Sequence, residues 1–515
     1  MYIKLYGAAL KGVDSVIITI EVNSSRGITC TMVGLPDSSV KESYDRIRSA
    51  LTESGYKLPA RKTVINLAPA DIRKEGAAYD LPIAIGLMAA SEMLPPDRLE
   101  RFLIMGELGL DGTVRPIKGA LPIAIKAREL GYEGLIVPSA NGREAAVVNK
   151  LKVYAVDHIR QVVDFFSGDG QNLKPVEVDT RKEFYEHQGN FDCDFSEVRG
   201  QESVKRAIEV AAAGGHNLIM IGPPGSGKSM MAKRIPTILP PLSLAESLET
   251  TKIHSVAGRL KRDSSLITTR PFRSPHHSIS QAAMCGGGSN PQPGEISLAH
   301  NGVLFLDELP EFGRNVLEVL RQPLEDRRIT VARAKYSVEY PANFMLVASM
   351  NPCPCGYYND PSRKCVCTPA QVQRYLNRIS GPLMDRIDLQ TEIIPVPFNE
   401  LSRHEPGEPS SAIRQRVVRA REIQQQRYAP YPGIFCNAQM TPALQERFAR
   451  PDAAGLAQLK QAMERFNLSA RAYTRILKVA RTIADLEGAP DILTHHLAEA
   501  IGYRKLDREN WGNNY

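Results

Sequence analysis

The chain has 515 residues, of which 43% are hydrophobic and 23% are charged, and its formal net charge is +7. These proportions are those of ordinary globular domains, so they exclude a disordered or fibrous chain, and the length predicts about three domains. The longest apolar run, Leu81–Ala90, is far shorter than the ~18 residues of a membrane span, which excludes a transmembrane protein.

The first part of the chain lacks the basic and apolar pattern of a secretory leader, which predicts a cytoplasmic protein. Up to residue 168, short β-branched runs such as Ser15–Val22 and Thr63–Asn66 alternate with helical patterns such as Val40–Ser54. This alternation predicts an α/β domain over residues 1–168. The polar stretch 169–192 has no sustained periodicity, and we predict a linker there.

A second α/β pattern covers residues 193–397 and gives way to a helical one over residues 398–515. Apolar runs at Asn217–Ile221, Val303–Leu306 and Phe344–Ser349 predict the strands of this second domain. The predicted C-terminal helices are Ser411–Tyr428, Pro442–Ala449, Ala454–Phe466, Ala470–Leu486 and Leu493–Tyr503. The predicted fold class is therefore multidomain α/β with a C-terminal helical lid.

A phosphate-binding loop follows the apolar strand and precedes a helical pattern. It matches the motif G-x-x-x-x-G-K-[ST], and its residues are Gly222, Pro223, Pro224, Gly225, Ser226, Gly227, Lys228 and Ser229. In such loops backbone N–H groups surround the β-phosphate, the lysine reaches the β- and γ-oxygens, and the hydroxyl binds Mg²⁺. The sequence therefore predicts ATP binding through Lys228 and Ser229.

Polar side chains also follow the next two apolar strands. Asp307 and Glu308 end the run Val303–Leu306, where buried acids are costly unless they face a site. We predict that Asp307 holds Mg²⁺ and that Glu308 polarises the attacking water; the alternative is that both acids cap the next helix. Asn351 is a candidate for orienting that water, or else a turn-forming asparagine before Pro352.

Two segments farther along supply candidate arginines. Arg386 stands between two acids, and Arg471 and Arg475 lie where a predicted helix begins. Arginines are expected near a transferring phosphoryl group, one of them from a neighbouring subunit. Another predicted helix carries five arginines: Arg414, Arg416, Arg419, Arg421 and Arg427. Such a cluster either binds the phosphates of a nucleic acid or forms a solvated helix face.

Four of the eight cysteines lie in one short stretch. Cys353, Cys355, Cys365 and Cys367 form two C-x-C pairs. Four thiolates so close together fit a tetrahedral structural zinc site. The alternative is that these are ordinary buried reduced cysteines, which accounts for any one of them more easily than for all four. The sequence predicts zinc here, with no open position for a substrate.

Three further segments carry a family resemblance: Arg270–His277, Gly286–Gly288 and Pro293–Gly302, the last of which runs into the acidic strand. Together with the phosphate-binding loop they resemble the magnesium-chelatase-like AAA+ ATPases. The resemblance implies an insert at Phe272–Asn301. It also implies a β-hairpin at Ile329–Tyr340, which faces the pore in related ring helicases or is a solvated surface hairpin; the hairpin tip carries Arg333 and Lys335.

The same resemblance assigns roles to the candidate polar residues. It implies that Asn351 is a sensor-1 residue and that Arg386 is an arginine finger acting on a neighbouring subunit. It further implies that Arg471 is the sensor-2 arginine of the lid, with Arg475 as its nearby rival.

The N-terminal domain resembles the peptidase domain of Lon-type proteases through Lys74–Leu81 and Gly106–Gly119. In this resemblance Ala78 stands at the position of the nucleophilic serine, and Leu121 at that of the activating lysine. No Ser–Lys dyad remains, so peptide hydrolysis by that mechanism is unavailable. The resemblance then implies a scaffold or a nucleic-acid-binding layer of a ring.

The functional expectation is a motor that assembles as a hexameric ring on single-stranded or branched DNA. The resemblance implies ATP-driven branch migration or strand separation in homologous recombination of incoming single strands, with recombination proteins as further partners. The ring follows from the arginine finger, which needs a neighbour. Two alternatives stay open: the motor subunit of a magnesium-chelatase-like remodelling complex, and an ATP-dependent protease, against which the missing dyad argues.

Overall fold

The computed structural model describes residues 1–168, 170–186, 188–189, 191–261, 264–288, 291–333, 336–358, 363–395, 407–466 and 468–504. The chain forms two compact units. The first comprises Met1–Gln188, Ser243–Thr268 and Pro291–Pro293, and the second comprises Gly189–Leu242, Thr269–Asn290 and Gly294–Tyr515. The first unit thus includes a segment, Ser243–Thr268, that the sequence pattern placed in the second domain.

The strands and helices are numbered in chain order. The strands are β1 (Tyr2–Lys11), β2 (Asp14–Ser25), β3 (Cys30–Val33), β4 (Lys62–Ala68), β5 (Phe102–Ile104), β6 (Glu107–Leu108), β7 (Val114–Arg115), β8 (Gly134–Pro138), β9 (Lys152–Val156), β10 (Leu218–Ile221), β11 (Phe272–Arg273), β12 (Gly286–Gly287), β13 (Gln292–Pro293), β14 (Val303–Leu306), β15 (Arg328–Arg333), β16 (Tyr336–Pro341), β17 (Met345–Met350) and β18 (Leu389–Glu392). The helices are α1 (Ser38–Lys41), α2 (Ser43–Glu53), α3 (Asp80–Ala90), α4 (Ala120–Glu129), α5 (Ser139–Ala146), α6 (Ile159–Ser167), α7 (Thr180–Glu186), α8 (Glu202–Gly214), α9 (Lys228–Ile238), α10 (Leu244–Val256), α11 (Gln281–Cys285), α12 (Glu295–Leu298), α13 (Arg314–Glu318), α14 (Arg321–Asp326), α15 (Pro369–Leu376), α16 (Gly381–Met384), α17 (Ser410–Tyr428), α18 (Pro442–Phe448), α19 (Ala453–Phe466), α20 (Ala470–Glu487) and α21 (Thr494–Gly502).

The first unit is built on a seven-stranded mixed sheet with the order β3-β4-β2-β1-β5-β8-β9. β1 and β2 form an antiparallel hairpin, whereas β5, β8 and β9 run parallel. Every residue of α3 is buried, and the helix packs on β1 and β2. A Cβ atom at Gly86 would lie 2.8 Å from side-chain atoms of Leu5 and Val22, so glycine lets the helix approach the sheet this closely.

The sequence patterns of the first unit agree with most of these elements. The runs predicted as strands correspond to β2 and β4, and the predicted helix Val40–Ser54 is divided at Glu42 into α1 and α2. The stretch 169–192, predicted as a linker, contains α7, whose Phe184 is buried. Within the described ranges, no helix is both long and apolar enough to cross a bilayer.

The segment Ser243–Thr268 joins the first unit through α10, which packs on α4. The N–H of Gly119 donates to the carbonyl of Ser255 over 3.1 Å, and the Ser255 hydroxyl donates to the carboxylate of Glu144. Glu144 also accepts the N–H of Leu121 at 2.9 Å. Burial raises the pKa of Glu144, against the effect of these hydrogen bonds.

The second unit is built on a five-stranded parallel sheet with the order β11-β14-β17-β10-β18. β10, β14 and β17 are buried along their whole length, which explains their uninterrupted apolar sequences. Because neighbouring strands run parallel, their carboxyl ends lie at one edge of the sheet. Each candidate polar residue that follows one of these strands is therefore brought to that edge.

The C-terminal helices pack against the second unit's sheet domain through α17 and α20, which both contact α8. Most arginines of the crowded helix have partners in the chain: Arg414 donates to Thr237 O, Arg416 pairs with Glu209 and Glu408, and Arg421 donates to Ala212 O. Arg427 pairs with the buried Asp485. The helix therefore fits neither a free phosphate footprint nor a simple solvated face.

The predicted hairpin is present as the antiparallel pair β15 and β16, in which Arg333 lies opposite Tyr336. Lys335 and the side chain of Arg333 lie outside the described residues. So does the predicted boundary between residues 397 and 398.

The buried carboxylate of Asp485 generates a stability prediction. It accepts hydrogen bonds from Arg427 at 2.8 Å, Arg481 at 3.1 Å and Asn437 at 2.8 Å. Asp485→Ala leaves the buried guanidinium of Arg481 and the largely buried one of Arg427 without their anion, so we expect the free energy of unfolding to fall by about 3–5 kcal/mol. Chemical denaturation measures this change.

The matched control is Glu464→Ala on α19, since Glu464 is 70% exposed and lies 4.0 Å from Lys460. We expect less than about 0.5 kcal/mol there. Equal effects of the two substitutions would contradict the role given to Asp485.

Candidate functional site

The phosphate-binding loop connects β10 to α9, and its own lysine, Lys228, is hydrogen-bonded to the loop backbone. Gly225 and Gly227 have φ values of 76° and 91°, which favour glycine. Lys228 Nζ donates to the carbonyls of Gly222 and Pro223 at 2.8 and 2.9 Å, and to Asn351 Oδ1 at 3.2 Å. Burial lowers the pKa of the Lys228 ammonium, while the nearby acids act in the opposite direction.

The Asp307 carboxylate lies beside the first turn of α9. Its Oδ2 accepts the hydroxyl of Ser229 at 2.6 Å, and its Oδ1 accepts the hydroxyl of Ser349 at the end of β17. Hydroxyl and carboxylate oxygens are the ligands that Mg²⁺ prefers, so Ser229 and Asp307 fit a magnesium site. Ser349 was not identified as a site residue from the sequence, because it lies within a predicted apolar strand.

Glu308 occupies an unusual backbone conformation for a residue with a side chain. Its φ and ψ are 53° and 52°, in the left-handed region, which costs about 1 kcal/mol or more. Its N–H donates to Asp307 Oδ1 at 3.1 Å and to Ser349 Oγ at 3.2 Å. Its side chain is 54% exposed and makes no capping hydrogen bond, so the alternative that Glu308 caps the following helix is not supported.

The segment Arg270–His277 reaches the same edge of the sheet. Arg273 forms a two-point ion pair with Glu295 at 2.6 and 2.7 Å, which anchors the segment to α12. The ring of His277 lies 4.0 Å, by Nδ1, from Glu308 Oε2. The sequence marked this segment only as a family motif, and the proximity of His277 to Glu308 depends on the folded structure.

The candidate arginines lie at the opposite edge of the sheet from the phosphate-binding loop. Asn217, just before β10, accepts the N–H of Asp388 at 3.0 Å and donates to the carbonyl of Arg386 at 2.9 Å. β10 and β18 are parallel and four residues long, a span of about 13 Å. Arg386 is therefore separated by the length of β10 from Lys228 of its own chain.

Each of these arginines has a carboxylate partner within the chain. Arg386 is 6% exposed and pairs with Glu325. Arg471 is 62% exposed and pairs at 3.2 Å with Asp385, the residue that precedes Arg386 in the chain. Arg475 pairs with the buried Asp388 at 2.9 Å.

The four clustered cysteines come together after β17. All four sulfur atoms lie within 4.8 Å of one another, and Cys353 Sγ is 3.3 Å from Cys355 Sγ and 3.7 Å from Cys365 Sγ. Four thiolates around zinc at about 2.3 Å would be separated by about 3.8 Å, so this donor set fits the metal. Tyr358 and Val372 pack against the cluster. Cys367 completes the set.

A second group of potential metal ligands is Glu487, His495 and His496. Both histidines place Nε2 about 3 Å from Glu487 Oε2, at 3.0 and 2.9 Å. His496 Nδ1 accepts the N–H of Leu493 at 2.9 Å, so its proton lies on Nε2 and is donated to Glu487. The close approach of these three side chains is therefore explained by hydrogen bonds at the beginning of α21.

The two positions that correspond to the Lon dyad hold residues without a reactive side chain, an alanine and a leucine. Ala78 accepts the N–H of Gly106 at 2.9 Å through its carbonyl, and Leu121 is a buried residue of α4. The nearby Lys74 is fully buried and donates to the carbonyls of Gly34 and Pro69. Burial lowers its pKa.

Family models for magnesium chelatase subunits match most of the chain. The model described as "Magnesium chelatase, subunit ChlI" matches residues 194–401. "Subunit ChlI of Mg-chelatase" matches residues 20–141, and "Magnesium chelatase, subunit ChlI C-terminal" matches residues 407–504.

Curated relatives extend this similarity to nearly the full length. "Uncharacterized protein YifB" of Escherichia coli is 46% identical over 502 residues, which are 97% of this chain and 96% of that protein. "Competence protein ComM" of Haemophilus influenzae is 43% identical over 507 residues, or 98% and 97% of the two chains. "Lon protease 2" of Bacillus subtilis is 30% identical over 163 residues, or 28% and 27% of the two chains.

Proposed function

Because the chain belongs to the magnesium-chelatase-like AAA+ family, in the branch that contains YifB and ComM, we propose that it is a ring-forming ATPase that moves DNA strands during homologous recombination. The proposed ATPase activity rests on one observation: five polar residues lie together at one edge of the parallel sheet. They are Lys228, Ser229, Asp307, Glu308 and Asn351. These residues follow the carboxyl ends of three neighbouring parallel strands, β10, β14 and β17.

In the proposed reaction each of these residues has one task. Lys228 exchanges its carbonyl and amide partners for β- and γ-phosphate oxygens of ATP. Ser229 and Asp307 would hold Mg²⁺, which neutralises phosphate charge when bound. Glu308, whose carboxylate is half exposed, accepts a proton from the attacking water, and Asn351 orients that water.

The arginines support a site completed by a neighbouring subunit. Arg386 lies at the far edge of its own sheet, so it would serve the nucleotide of the adjacent chain in a ring, which we propose to be a hexamer. This requires Arg386 to exchange Glu325 for phosphate oxygens. Arg471 pairs with Asp385, which precedes Arg386 in the chain, and would act on the same neighbouring nucleotide.

DNA as the substrate of the motor is supported by the name of one relative, competence protein ComM. The hairpin of β15 and β16 is a candidate contact, whereas the arginines of α17 are mostly engaged within the chain. The N-terminal domain, without a Ser–Lys dyad, would be a scaffold or a nucleic-acid-binding layer. Single-stranded and branched DNA are the proposed ligands, with recombination proteins as further partners.

The second candidate function is the motor of a magnesium-chelatase-like remodelling complex. The descriptions of the matching family models favour it. In that case a protein partner, and not DNA, would stimulate ATP turnover.

Glu308 provides the first test of the proposed chemistry. Glu308→Gln removes the base and keeps the size of the side chain, so we expect turnover to fall by about 10²–10⁴-fold while ATP binding persists. A phosphate-release assay and a fluorescent-nucleotide titration measure the two quantities. The control is Glu311→Gln, an exposed nearby acid paired with Arg378. Turnover at the parental rate in Glu308→Gln would refute the assignment.

Zinc provides the second test. We expect about one zinc per purified chain, held as a closed structural site by Cys353, Cys355, Cys365 and Cys367. Replacing Cys353 and Cys365 by serine should remove the metal and lower both the melting temperature and ATP turnover. The paired control is Cys30→Ser with Cys193→Ser, outside the cluster. Metal-free parental protein would show that these are ordinary reduced thiols.

DNA stimulation separates the two candidate functions. We expect single-stranded or forked DNA to raise ATP turnover several-fold and labelled three-stranded junctions to be resolved only with hydrolysable ATP. Glu308→Gln should still bind the junction without resolving it. No response to any DNA, with stimulation by a chelatase-type partner, would reverse the order of the two proposals.

A further inference from the structure

A small polar cavity lies at the amino-terminal edge of the parallel sheet, on the side away from the phosphate-binding loop. Its volume is about 220 Å³. Asn217 before β10, Asn343 before β17 and Asp388 before β18 form its floor, and the end of α14 and the middle of α20 form its walls. Apart from Glu325, the partner of Arg386, none of its lining residues is used in the ATP chemistry proposed above.

Three cationic side chains line the cavity: Arg327, Arg475 and Lys478. Arg475 has an acidic partner, Asp388. Arg327 Nη1 donates to the carbonyl of Gly433 at 3.0 Å, and Lys478 Nζ donates to the carbonyl of Ala438 at 3.1 Å. In the described part of the chain, neither Arg327 nor Lys478 has a carboxylate within the 4.0 Å of an ion pair.

The two acids on the cavity wall are already engaged. Asp388 Oδ1 accepts from Arg475 at 2.9 Å, and its Oδ2 accepts the N–H of Asn217 at 2.9 Å. Glu325 pairs with Arg386. The cavity therefore has more positive than negative charge, and burying such an excess is costly unless an anion compensates it.

The acid–base properties of the lining agree with this imbalance. Burial, followed by the charge of Arg475, lowers the pKa of Lys478 to about 8. Burial also lowers the pKa of Arg327. Both directions show that burial disfavours the cationic forms, and an anion bound between them would favour those forms again.

We propose that this cavity is a second anion site, which binds a phosphate group through Lys478, Arg475 and Arg327. Guanidinium groups suit phosphate because their planar N–H donors match its oxygens, and the lysine adds a point charge. The volume is below the roughly 300–1,000 Å³ of typical pockets for larger ligands, which favours a single phosphate over a nucleotide. The phosphate comes either from solution or from a nucleic-acid backbone.

The test is calorimetric titration of the full chain with inorganic phosphate at constant ionic strength. Excess Mg²⁺ and a non-hydrolysable ATP analogue occupy the phosphate-binding loop beforehand, and Lys228→Ala serves as a second background. We expect saturable binding of one phosphate per chain with the same affinity in both backgrounds, since the two sites are separate. Sodium chloride in place of phosphate should give no saturable signal.

Lys478→Met keeps an unbranched side chain and removes the charge, so we expect phosphate affinity to fall about tenfold or more. Lys478→Arg should retain binding. The matched control is Lys460→Met, since Lys460 is 78% exposed on α19 and lies outside the cavity. Equal affinity in Lys478→Met and the parental chain would overturn the proposal.

A second arm identifies the source of the phosphate. If it is a nucleic-acid backbone, Lys478→Met also weakens binding of a single-stranded oligonucleotide and reduces the salt slope by about one. If it is free phosphate, oligonucleotide binding is unchanged in that variant. Absence of saturable phosphate binding to the parental chain overturns the proposal even if Lys478→Met fails to fold.

Discussion

The parallel register of β10, β14 and β17 is the constraint on which the candidate site depends. Because the three strands end at one edge, Lys228 comes within 3.2 Å of Asn351 and Ser229 within 2.6 Å of Asp307. The same register places Arg386 at the other edge, about one strand length away. One sheet therefore presents half of a nucleotide site at one edge and an arginine for a neighbour's site at the other.

Glu308 illustrates how the fold holds a strained residue in place. Its left-handed backbone is unfavourable for glutamate, yet the conformation turns the chain sharply after β14 and leaves the carboxylate half exposed. The hydrogen bonds from its N–H to Asp307 and Ser349 offset part of that cost. The strained backbone is thus held by the proposed magnesium ligand Asp307 and by Ser349, which also donates to Asp307.

Local sequence patterns predicted the elements of this site but not their long-range partners. The phosphate-binding loop and β14 with its acids were predictable, because each depends on adjacent residues or on continuous burial, whereas the hairpin of β15 and β16 was expected only from the family resemblance. The pairing of Arg416 with Glu209 and of Arg386 with Glu325 joins distant segments, and no local pattern encodes it. The same holds for α10, whose contact with α4 assigns Ser243–Thr268 to the first unit.

The central claim is that each ATP site is completed by the neighbouring chain. It is tested most directly by measuring ATP turnover in mixtures of Arg386→Ala and Lys228→Ala chains, each inactive alone. The account predicts partial recovery, with a maximum at intermediate ratios, because mixed rings contain interfaces where an intact Lys228 meets an intact Arg386. No recovery at any ratio, in mixtures shown to contain both chains in one ring, would contradict it.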